Sequence, residues 1–150
     1  MANTPRPTAR SIIVCEKIVP EPDHPSRVSL VRVINSIRAA VGVHYPVRHQ
    51  ELAVFAQLTE CRGTGRVRIE IRNSETNTVV ARTNNHLMTF PNEPLTVYGF
   101  RFRVQDILFP EPGLYWVQLC YDDGVIAQTP ITLLPGTLPP PLRGANSWPQ

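Results

Sequence analysis

Apolar and polar residues alternate with a period of two along most of this chain, and no stretch carries the 3.6-residue period of an ordinary helix. The clearest run is Arg66-Val67-Arg68-Ile69-Glu70-Ile71-Arg72, with valine and isoleucine on one side and charge on the other, which predicts a strand with one face in a core and one in water. Residues 51–60 alternate likewise, with Leu52, Val54, Ala56 and Leu58 inward. Residues 96–104 set Tyr98, Phe100, Phe102 and Val104 against Gly99, Arg101 and Arg103. Further strands are predicted over 11–19, 27–37 and 78–84. Within 27–37 neither parity is clean, which predicts a bulge near Leu30-Val31 or cover on both faces.

The breaks carry as much information as the runs. Pro20, Pro22 and Pro25 end the first strand, because no ladder survives three missing N–H donors in six residues. Residues 38–50, with Gly42 and Tyr45-Pro46, are expected to cross between layers. Gly63-Thr64-Gly65 and the backbone-bonding residues 73–77 are turns. Residues 86–94 read as a connection and 105–109 as a short helical turn. The chain then turns at Phe109-Pro110-Glu111-Pro112-Gly113, and a long hairpin follows: residues 114–121, a tight turn at Asp122-Asp123-Gly124, and a return strand over 125–134. Pro112-Gly113-Leu114-Tyr115 has the form of a tyrosine corner.

About eight short strands with turn signals between them predict an all-β fold, an antiparallel β-sandwich of immunoglobulin-like general architecture, over residues 11–134. Residues 1–10 and 135–150 are expected to be flexible tails. A chain of 150 residues, 42% hydrophobic and 18% charged, suffices for one core without metal or disulfide staples. Cys15, Cys61 and Cys120 form no C-x-x-C pair, which argues for a reducing compartment and against a zinc site. Without a signal-type apolar run or a membrane-length segment, a cytoplasmic protein is expected.

Chemical motifs are sparse. No G-x-S-x-G elbow is present, and Gly63-Thr64-Gly65 leads into a strand, not the helix N-terminus that a phosphate loop requires. Cys61 beside Arg62 invites a lowered thiol pKa, but a spacer at a strand end explains it more simply. Cys15 and Cys120 read as small core hydrophobes. His24, His44, His49 and His86 fall in predicted connections without metal-ligand spacing. Asp122-Asp123-Gly124 lacks the alternating ligands of a calcium loop. No catalytic residue, metal ligand or cofactor is assigned.

What remains is surface. With a net charge of +3 and Lys17 as the sole lysine, the basic residues are almost all arginine. Arg66, Arg68 and Arg72 project from one strand and Arg101 and Arg103 from another, so if the two strands share a sheet, five guanidinium groups line one face. Glu70 interrupts that row, and a solvated face is its simpler reading. Trp116 lies opposite the apolar set Tyr115, Val117, Leu119 and Tyr121. It either points outward as an interface anchor or belongs to a strand covered on both sides. Leu138-Pro139-Pro140-Pro141-Leu142-Arg143 favours polyproline II, with a spacer as its default role.

The segments Ile13-Val14-Cys15-Glu16, Leu52-Ala53-Val54-Phe55-Ala56-Gln57-Leu58, Pro112-Gly113-Leu114-Tyr115 and Pro130-Ile131-Thr132-Leu133 resemble those of DUF6941, a family of small bacterial proteins of unknown function. The resemblance covers residues 11–134. It implies a bacterial, cytoplasmic β-sandwich and brings no activity or site residue with it. The expected function is therefore that of a non-enzymatic structural or interaction module, acting through self-association or a protein partner. The alternative is weak, sequence-indifferent nucleic-acid binding through the arginines.

Overall fold

The computed structural model describes residues 6–24 and 27–136. The described residues form ten strands and no helix: β1 (Thr8–Pro20), β2 (Val28–Val33), β3 (Ser36–Arg38), β4 (Val47–Thr59), β5 (Gly63–Asn73), β6 (Val79–Arg82), β7 (His86–Phe90), β8 (Tyr98–Phe109), β9 (Gly113–Tyr121) and β10 (Gly124–Leu134). One sheet has the order β2-β1-β4-β8. The other has the order β3-β10-β9-β5-β6, with β7 also paired to β5. The expected sandwich is present. In immunoglobulin terms β1-β4-β8 corresponds to A-B-E and β10-β9-β5-β6 to G-F-C-C′.

Strand alternation builds the core directly. Leu52, Val54, Ala56 and Leu58 of β4 are all fully buried, and they meet Val67, Ile69 and Ile71 of β5 and Tyr115, Val117, Leu119 and Tyr121 of β9 in one apolar cluster. Tyr115 closes the corner before β9. Its hydroxyl donates to the Glu111 carbonyl at 2.6 Å, and its ring meets Phe109 edge-on at 4.8 Å. This is the tyrosine corner expected from Pro112-Gly113-Leu114-Tyr115. Tyr121, at the other end of β9, lies directly under Gly65, where a Cβ would collide with its ring.

Several local expectations are corrected. β1 begins at Thr8, so the sandwich includes residues assigned to the N-terminal tail; residues 1–5 and 137–150, including the proline-rich motif, lie outside the described residues. The run 27–37 is two strands in different sheets, since β2 pairs β1 whereas β3 pairs β10 in parallel. Parity also breaks inside β2 itself: Leu30 and Val31 are both half-buried and Arg32 has a positive φ of 54°, an irregularity next to the bulge expected at Leu30-Val31. Residues 105–109 continue β8 because β4 pairs with them up to Phe109. Residues 86–90 are a strand because they extend the edge begun by β6 along β5. The tight turn is centred one residue earlier than Asp-Gly chemistry predicts: Asp122 and Asp123 both have positive φ, 47° and 70°, and Gly124 already pairs with Tyr121. Asp122 compensates by holding β5, its Oδ1 accepting from the Arg66 N–H at 2.8 Å.

Candidate functional site

β5 and β8 lie in different sheets, so the condition for a shared five-arginine face is not met. The two rows have different surroundings.

On β5, the side opposite the core is not simply solvated. Glu70 is 3% exposed. Arg68 Nε donates to Glu70 Oε1 and Arg72 Nη2 to Oε2, each at 3.0 Å, so both carboxylate oxygens are engaged. The side chains of Arg68 and Arg72 are only 14% and 29% exposed. Burial pushes the Glu70 carboxyl up, but the hydrogen bonds and positive charges of the two arginines outweigh it and hold the group below the usual carboxylate range. Glu70 therefore ties the row together, and Arg68 and Arg72 are internal ion-pair partners. Arg66 is exposed and has no ion pair among the described residues.

The neighbours of β5 account for this burial. It lies between β9 and the β6–β7 edge, and Gln118 of β9 and Arg82 of β6 stand opposite Glu70. Trp116 of β9 stands opposite Arg72 and, on its other side, opposite Pro130. Trp116 is half-buried on this outer face, between the two alternatives weighed for it. The outer faces also hold two cysteines. Cys120 is registered with Arg68 and Cys15 with Ala53, so both are buried small hydrophobes as expected, but on the outer faces and outside the apolar cluster between the sheets. Cys61 does join the core. Burial raises all three thiols, which removes the case for a reactive Cys61.

Arg101 and Arg103 are placed differently. β8 is hydrogen-bonded to β4 and to no other strand among the described residues, so its other edge is unpaired, although β6 of the other sheet packs close to part of it. Arg103 is 71% exposed and reaches Glu51 Oε1 at 3.0 Å. Arg101 is exposed and has no ion pair among the described residues. Across the opening stand β6 and β7, the edge of the other sheet. There Arg82, Asn84 and His86 join Arg101, Arg103 and Gln105 around an open groove of about 470 Å³. An adjoining apolar cleft of about 180 Å³ lies among Val67, Met88, Phe100 and Phe102. The His86 and Phe102 ring centroids are 6.3 Å apart at the junction of the two. Arg82 also has no ion pair among the described residues.

Arg82 and His86 were missed in the sequence because they belong to this edge only through the two-sheet fold. One signal was available: His86, Met88 and Phe90 share a parity that reading the segment as a connection discarded.

The described residues contain no group of three or more histidine, cysteine, aspartate or glutamate side chains placed to hold a metal ion, and no helix long and apolar enough to cross a membrane. No curated protein matches the chain. Among solved structures, a similar one is a glycosyl hydrolase family 2 member from Bacteroides cellulosilyticus, at 22% identity and a TM-score of 0.36, the match covering 73% of this chain and 16% of that protein. The sequence matches the family of unknown function DUF6941 over residues 10–134, nearly the whole sandwich from within β1 to the end of β10, and the chain belongs to that family.

Proposed function

We propose that this protein is a non-enzymatic interaction module of the bacterial cytoplasm, acting by binding another protein or a second copy of itself. The observation that carries the reading is the open edge of β8, a 12-residue strand paired on one side only and bordered by a cationic groove and an apolar cleft. Sheet edges are either protected or used, and nothing among the described residues pairs with this one. The buried, separately placed thiols support a reducing compartment. The test is the solution mass of the full chain, together with capture from native lysate at low salt with and without nuclease. A nuclease-resistant stoichiometric partner or a dimer is expected, and a monomer that captures nothing would overturn the reading.

A second reading, binding of single-stranded nucleic acid, draws on Arg82, Arg101 and Arg103 beside His86 and Phe102 in the same groove. Three phosphate contacts imply an affinity loss of roughly twentyfold between about 50 and 200 mM salt. Binding of an oligothymidylate that is indifferent to salt would sink it.

A further inference from the structure

We infer that the open edge of β8 receives an extended acidic segment of a partner protein by strand addition, with carboxylates and apolar side chains alternating along the segment. This rests on the interaction-module reading and adds the chemistry of the partner.

The two faces of β8 differ in chemistry. Arg101 and Arg103 lie on the outer face of its sheet, in register with Phe55 and Ala53 of β4. Phe100 and Phe102 face the other sheet, towards the cleft with Val67 and Met88. A strand added to the open edge has the same alternation as β8 itself. Its outward side chains fall beside Arg101 and Arg103, and its inward ones enter the apolar cleft.

Charge selects the sign of the outward set. Arg101 has no carboxylate partner among the described residues, and the Arg103 contact with Glu51 uses Nε, leaving the terminal nitrogens of the fork to donate. Arg82 brings a third cation from the opposite wall. Glu70, the carboxylate closest to Arg82 by register, already has both oxygens engaged by Arg68 and Arg72.

The same charges argue against a second copy as the occupant. Antiparallel pairing of two β8 edges centred on Phe102, the register that covers the cleft, sets Arg101 of one chain directly opposite Arg103 of the other, and like charges at facing positions are destabilising. An acidic partner removes that repulsion, and its apolar residues cover the half-buried Phe100 beside the already buried Phe102.

The test uses the full chain and a synthetic peptide of about seven residues alternating glutamate with leucine. Comparison probes are the same peptide with lysine for glutamate, a peptide of the same composition with its glutamates grouped together, and an oligothymidylate. The alternating glutamate peptide is expected to bind best, to slow amide exchange along β8, and to bind at least tenfold more weakly to the double variant Arg101→Glu, Arg103→Glu. Both residues are exposed, and an unchanged circular dichroism spectrum verifies the variant's fold. The inference is overturned if the peptide does not bind, binds the variant equally, or leaves β8 exchange unchanged. It is also overturned if grouped glutamates bind as well or the oligothymidylate binds this groove more tightly. A cellular partner fully retained by the double variant would overturn this inference and leave the interaction-module reading standing. A monomer without any partner would remove both.

Discussion

Arg68 and Arg72 on β5 and Arg101 and Arg103 on β8 occupy the same kind of position, an arginine alternating with core residues along a strand, yet their fates are opposite. β5 has neighbours on both sides, and Arg68 and Arg72 lie low against them and close on Glu70, while Arg66 near its start stays exposed. β8 has a neighbour on one side only, and its arginines stand in solvent at the mouth of a groove. The comparison teaches that the place of a strand in its sheet, not its pattern, decides whether an arginine row holds the fold or is available to a partner. A guanidinium flanked by strands on both sides loses water and must find a carboxylate, whereas one at an edge keeps its water.

The sharpest way to break the comparison is to remove the carboxylate from the β5 row. Glu70→Ala strips two low-lying guanidinium groups of their shared buried carboxylate, leaving Arg68 only the exposed Asp123 at 3.4 Å and Arg72 only the Asn77 carbonyl at 2.9 Å, and is expected to cost about 3 kcal/mol, measured by urea unfolding. Replacing the whole triad, as Arg68→Met with Glu70→Leu and Arg72→Met, should cost far less than Glu70→Ala alone, because no buried charge is then orphaned. If the triple variant proves the less stable, the row contributes more than charge compensation.

A smaller effect is expected at the corner that positions β9 beside β5. Tyr115→Phe keeps the ring against Phe109 but removes the donor to the Glu111 carbonyl, at about 1 kcal/mol in the same assay.

Acid sharpens the contrast between the rows. The folded Glu70 carboxyl lies below its ordinary value of about 4.3, so below that pH the unfolded chain binds the proton first. Its stabilisation is fully present above that value and is lost as pH falls through the folded one. The stability gap between the natural chain and Glu70→Gln should therefore narrow over that acid window and stay constant above it. A gap that does not change with pH would mean that the triad is not ionised as drawn.

The smallest effect belongs to the edge. Arg101→Ala and Arg103→Ala are each expected to change stability by no more than about 0.5 kcal/mol. A loss of several kcal/mol at either would place that residue in the framework with Arg68 and Arg72.

Much of the fold was legible because alternation is a local signal. The strict pattern over residues 66–72 and the four inward residues of β4 are recovered as core. The tyrosine corner was readable from four adjacent residues. Strand boundaries failed where partners decide them. The last residues of β8 are extended because β4 runs alongside, and β7 exists because β5 offers an edge. The candidate site was half legible: Arg101 and Arg103 were visible, but Arg82 and His86 join them only across the gap between two sheets.

The sequence by itself determined the period of two, the inward residues, the corner and the presence of a tight turn inside the last hairpin, since each depends on the sterics and solvation of a few neighbouring residues. Only the tertiary structure decided which strands share a sheet, which one lies at its edge, and so which arginines are clamped by Glu70 and which face solvent. Those outcomes depend on contacts between residues far apart in the chain, and alternation along one strand is the same whether its neighbours are present or absent.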